Sequence, residues 1–184
     1  MARDSRGRFI KGSGGNGVTD RDLGYRDLFK RVDAITRDPH FVTLGVQGDQ
    51  AEKIHGDDKE GISNLRLAGV HEFGATIQTA NGTINIPERS FLRSTFDKNH
   101  TRYLAAVRKL SDLVLIGKLE IKQALGIFGE RATSDVKKTI EDGIDPENAE
   151  STIARKGSSL PLVDTGELKN TAITYMVRRE GEEG

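Results

Sequence analysis

The side chains best placed for chemistry begin at His71-Glu72-Phe73-Gly74-Ala75. A zinc-protease helix needs two histidines four residues apart, because i and i+4 share a helix face and can clasp one ion while the intervening glutamate activates water. His71 and Glu72 supply the first half of that arrangement, but Ala75 stands where the second histidine belongs. His40, His55, His71 and His100 show no i,i+3 or i,i+4 spacing, so they read as scattered surface or half-buried histidines. The chain has no cysteine, which removes thiolate zinc sites, disulfides and a thiol nucleophile. Gly12 to Gly17 lacks the Lys-Ser/Thr ending of a phosphate loop, and no strand leads into Lys156-Gly157-Ser158-Ser159. The acids around Asp142-Gly143-Ile144-Asp145 miss the alternation of a calcium loop. Ser158, Ser159 and Asp164 have no histidine nearby to act as base. No catalytic constellation, cofactor site or metal site is expected.

Bulk composition narrows the classes further. At 184 residues it can bury one core, so a single domain with appendages is expected. Only 35% of residues are hydrophobic and 30% are charged, which leaves much of the chain solvated or awaiting a partner. The 28 basic and 28 acidic residues cancel, unlike the basic excess of a protein that coats nucleic acid. No apolar run approaches the ~20 residues of a membrane span, and the N-terminus lacks the apolar core of a signal peptide. The expectation is a soluble chain that stays where it is made until assembled, without a membrane partner.

Residues 1–17 read as a flexible basic arm. Arg3, Arg6, Arg8 and Lys11 are opposed only by Asp4, ahead of a Gly/Ser-rich linker. These four charges are candidates for contact with a partner chain or with DNA. Residues 18–179 form the expected single domain, and 180–184 an acidic tail. A helix capped by Thr19 or Asp20 should run to about Arg37, with Leu28, Val32 and Ile35 on one stripe, until Asp38-Pro39 stops it. Phe41 to Gln47 reads as a strand with Val42, Leu44 and Val46 on one face. Gly48 to Gly61 is too poor in apolar residues for a buried element and reads as a loop. Ser63 to Phe73 predicts a short helix closed by Gly74. Ile77 to Ile86 predicts a hairpin that projects from the body and turns at Asn81-Gly82.

From Ser90 to about Ile116 the pattern is helical, with Phe91, Thr95, Leu104, Val107, Leu110 and Val114 placed to pack and Gly117 a break. The strongest periodicity follows, from about Lys118 to Asp142: Ile121, Leu125, Phe128, Ala132, Val136 and Ile140 step by three or four, and Gly143 ends the helix. Residues 144–159 read as loop. The segment from Pro161 to Lys169 reads as a loop and a capped helical turn, with Asp164 or Thr165 accepting the first free N–H groups and Gly166 at a tight turn. A strand follows, in which Ile173, Tyr175 and Val177 alternate with Thr174, Met176 and Arg178. The fold class is therefore α+β, an antiparallel sheet packed against long amphipathic helices.

Three blocks also resemble the tail-completion (neck) proteins of tailed bacteriophages, the group that includes the Mu-type virion-morphogenesis protein. The first is Ala68-Gly69-Val70-His71-Glu72-Phe73-Gly74, similar to the family's short helix ending in Glu-x-Gly before a hairpin. The second is Ile86-Pro87-Glu88-Arg89-Ser90-Phe91-Leu92-Arg93, similar to its Ile-Pro-x-Arg-x-Phe-Leu segment. The third runs from Ile153-x-x-Lys156-Gly157 into Pro161-Leu162-Val163-Asp164-Thr165-Gly166-Glu167-Leu168. Their order, with the long helix between the second and third, makes the likeness more specific than any block alone. It covers Leu67 to Val177 and leaves out the basic arm and the polar stretch 48–61.

On the resemblance, Glu72, Gly74, Pro87, Arg89, Phe91, Leu92, Asp164, Thr165, Gly166 and Leu168 are structural positions rather than reactive ones. Pro87 sets the chain direction out of the hairpin, and Phe91 and Leu92 open the next helix. Arg89 either pairs with a carboxylate such as Asp164 or Glu72 or is a solvated charge.

The resemblance implies a structural virion protein at the head–tail junction, assembled in the host cytoplasm into a six-fold or twelve-fold ring around the DNA channel. Its partners would be copies of itself, head connector or portal-side proteins, and the tail tube or tail terminator. Genomic DNA would pass through with at most non-specific contact. The alternatives are a tail terminator or head-closure protein, a nucleic-acid binder using the basic arm, and a virion-associated hydrolase. The last lacks paired acids or a nucleophile–base motif.

Overall fold

In a computed structural model, the structure describes residues 22–54, 61–80, 82–156, 162 and 168–181. Helix α1 (Tyr25–Arg37) starts behind its N-cap Gly24, later than expected; Thr19 and Asp20 lie outside the described residues, and Asp22 supports the helix start. The Asp22 carboxylate accepts the backbone N–H groups of Gly24 at 3.0 Å and Arg26 at 3.4 Å. Strand β1 (His40–Val46) follows Pro39. The polar stretch expected to be loop contains a one-turn helix, α2 (Asp49–Glu52), whose Ala51 is buried. It is held by the Asn64 side-chain amide donating to the Gln50 carbonyl at 2.9 Å, a long-range bond that local composition does not reveal.

Helix α3 (Asn64–Phe73) is capped by the Ser63 hydroxyl and ends at Gly74 as expected. Strands β2 (Ala75–Thr79) and β3 (Gly82–Ile86) make the expected hairpin, exposed along most of its length. Helix α4 (Phe91–Leu115) stops before Gly117, whose φ of 72° a side chain would resist. Helix α5 (Ile121–Asp142) opens with a capping box between Glu120 and Gln123 and closes at Gly143. A further helix, α6 (Glu150–Lys156), lies where loop was expected. A π-helical turn over Leu168–Ala172 leads directly into β4 (Ile173–Arg179).

The fold is α+β, with two separate two-stranded antiparallel sheets. β1 pairs with β4 so that Val42, Leu44 and Val46 lie opposite Val177, Tyr175 and Ile173. These six residues share one face, as their alternation predicts, and α5 packs against the sheet. The approach is close enough that a Cβ at Gly129 would stand 2.4 Å from the Tyr175 ring and 3.0 Å from Val42. The core gathers Phe91, Val136, Ile140, Leu168, Ala172 and Ile173, with Leu44, Val46 and Leu92 packed against it.

α4 and α5 run antiparallel, joined near Thr95 and Thr139, whose hydroxyls are 2.7 Å apart, and through the edge-on rings of Tyr103 and Phe128. Three stripes differ in part from expectation. On α4, Leu104 and Val107 are exposed and Tyr103 is buried instead, because α5 covers only one side of that helix. On α1 no residue is fully buried: Leu28 and Ile35 are half-covered and Val32 is exposed. On α5, Ala132, Val136 and Ile140 are buried as expected, whereas Ile121, Leu125 and Phe128 are half-buried.

Candidate functional site

The first two motif blocks fold onto each other at the start of α4. Glu72, in the last turn of α3, is buried, and its carboxylate faces the free N–H groups that every helix leaves at its N-terminus. One oxygen accepts from Leu92 N at 2.9 Å, the other from Arg93 N at 3.1 Å, and the Ser90 hydroxyl donates to it at 2.7 Å. A carboxylate is well suited here because the helix dipole places partial positive charge where it sits. Arg93 completes the cluster, reaching Glu72 at 3.4 Å and Glu88 at 2.6 Å while its guanidinium lies 5.5 Å from the Phe73 ring centre.

Gly74 lets the chain turn back tightly, with φ at 71°; a Cβ there would sit 3.0 Å from both Ile86 O and Glu88 N. Pro87 then carries the chain to Arg89, whose backbone N–H donates to His71 O at 2.7 Å. The Arg89 side chain neither pairs with Glu72 nor stays solvated. It is buried, donating through Nε to Pro146 O at 2.6 Å and through a terminal nitrogen to Glu147 O at 2.9 Å. Burial lowers its pKa from the ordinary value. Its work is to tie the segment after α5 to the α3–α4 corner.

Phe91 and Leu168 meet in the core, and Leu92 packs against it, so the first two blocks and the end of the third converge. Asp164, Thr165 and Gly166 lie outside the described residues, as do Arg3, Arg6, Arg8 and Lys11. Sequence reasoning passed over Ser90 and Arg93. Ser90 was readable as a cap by its place before Phe91-Leu92, although its hydroxyl serves Glu72 rather than the helix. Nothing in the local pattern signals the carbonyls at 146 and 147.

A second polar cluster lies in the α4–α5 seam. The Asp135 carboxylate accepts from Arg102 at 2.5 Å and from the Tyr103 phenol at 3.0 Å. Burial, and then the hydrogen bond and charge of Asp135, push the Tyr103 pKa up to about 12. That direction keeps the phenol protonated at neutral pH, and its bond to Asp135 ties α4 to α5. Among the described residues no group of three or more His, Cys, Asp or Glu could hold a metal ion, and no helix is long and apolar enough to cross a membrane. Comparison with protein-family models, with characterised proteins and with solved structures finds no match for this chain.

Proposed function

We propose that the protein is a structural subunit of a tailed-phage or prophage particle, a tail-completion protein forming a ring around the DNA channel where head and tail join. The observation that carries this reading is the α3–α4 corner. Residues that resemble a family signature in two separate stretches come together there, with Glu72 of one stretch capping the helix that opens in the other.

Two further features support a subunit that is finished by its neighbours. The Tyr25 and Phe29 rings pack on each other at 4.5 Å yet are 66% and 54% exposed, and the hairpin stands away from the core. Apolar surface of this kind is common where another chain docks. The mechanism is assembly: each subunit offers one face to a different face of the next, and the ring closes when the rotation does.

Counting copies in isolated necks by native mass measurement or image reconstruction tests the reading. A closed ring, six-fold in the simplest case, is expected, and loss of the protein should leave filled heads and separate tails. One copy per neck, or joined particles without it, would sink the proposal.

A further inference from the structure

The sheet β1–β4 has an open edge, and the register shows which backbone groups it offers. Glu180 N donates to Pro39 O at 3.0 Å, one step beyond the last strand pair. Bonded pairs in an antiparallel ladder alternate, so Phe41–Arg178, Thr43–Met176 and Gly45–Thr174 exchange bonds between the strands. Tyr175 and Val177 therefore turn their N–H and C=O groups to the outer edge of β4. Among the described residues no strand lies beyond it, and the Thr174 hydroxyl reaches the Tyr175 carbonyl only at 3.5 Å, the limit of a hydrogen bond.

Beside this edge a groove of about 570 Å³ runs between β4 and α5. Thr133 lines the groove, is 8% exposed, and its hydroxyl has no hydrogen-bond partner among the described residues. A buried hydroxyl left unpaired is costly, so its satisfaction by an incoming group would favour occupation of the groove. Glu130 and Lys137 form the rim and make no ion pair among the described residues.

The chain also carries the matching half. From Ala75 to Ile86 the hairpin contains no charged residue and no proline. Natural sheets blunt exposed edges with lysine, proline or bulges, and an edge without such protection is open to pairing with another strand. Ile77 and Ile84 face each other across the hairpin at 43% and 52% exposure, while Gln78 and Thr83, hydrogen-bonded to each other at 2.8 Å, point to its opposite face.

We infer that subunits join by strand addition: the β2–β3 hairpin of one copy pairs with the open edge of β4 in the next and fills the groove over α5. The donor and acceptor faces differ, as a head-to-tail ring requires. The inference rests on the ring reading for its context, but its test is independent.

Because the chain has no cysteine, single cysteines report contacts directly. Thr174→Cys should be mixed with Gln78→Cys or Thr83→Cys in the full chain and oxidised gently at high concentration. Disulfide-linked pairs joining the two variants should exceed either self-pair, and peptide mass mapping should locate the link. Ile84→Lys should weaken self-association at least tenfold by ultracentrifugation while leaving the melting temperature unchanged. Three results would overturn strand addition: self-association indifferent to Ile84→Lys without mixed cross-links, a chain that stays monomeric at millimolar concentration without them, or slow amide exchange at Tyr175 and Val177 in the monomer. The copy number in isolated necks decides the ring reading separately, so a multi-copy ring lacking these cross-links would retire only the hairpin contact.

Discussion

Replacing Glu72 with glutamine keeps the shape of the side chain but turns an amide N–H₂ toward groups that are themselves donors. Because the site is buried, the expected loss is about 1–3 kcal/mol in urea unfolding. Glu88→Gln, at an exposed partner of the same Arg93, should cost no more than about 0.5–1 kcal/mol. Equal losses would mean that Arg93, and not the start of α4, is what Glu72 serves. Tyr103 gives a pH signature. Its pKa is pushed up to about 12 in the fold, against about 10 in an unfolded chain, so the folded state holds the phenolic proton more tightly. That stabilisation is complete below pH ~10 and is lost as pH rises toward ~12. Melting temperature followed from pH 8 to 12 should fall more steeply for the native chain than for Tyr103→Phe over that window.

Among the elements, α5 contributes six buried residues, more than any other described helix or strand. Ile140→Ala removes a fully buried side chain and should cost about 2–5 kcal/mol, while Lys122→Ala on the exposed side should stay within about 0.5 kcal/mol. Gly129→Ala adds only a methyl group, yet it strikes Tyr175 and Val42. It should cost about 1–3 kcal/mol despite the better helix propensity of alanine. Chemical denaturation of the three variants separates these outcomes.

Elements with a repeated pattern were legible: α5, β1, β4 and the hairpin follow from period and turn residues alone. The one-turn α2 and the seven-residue α6 are too short to show a period, and α2 is held by a bond from Asn64, fourteen residues on from Gln50. Leu104 and Val107 have helical spacing but no neighbour, which periodicity cannot report. At the corner, the identities of Glu72, Gly74 and Arg89 were readable as a signature. The partners of Arg89 were not, because they are carbonyls of a segment nearly sixty residues away.

For the whole molecule, deleting residues 1–17 should leave the unfolding of the body unchanged within about 0.5 kcal/mol, since that stretch offers little apolar surface. On the proposed neck reading, heads and tails that still join at the native rate with the deletion would mean that the arm has no part in attachment. The pairing of β1 with β4 has a further consequence, one of time. The sheet under α5 is made from strands near opposite ends of the chain, Val46 meeting Ile173. On a ribosome adding about 5–20 residues per second, β1 waits on the order of 6–25 s for its partner to emerge. Through that interval Val42, Leu44 and Val46 lack the strand that covers their flank, so nascent chains are at their stickiest just before completion. Translation that stalls before residue 173 should leave an insoluble fragment, whereas release after Arg179, with β4 complete, should leave a soluble one.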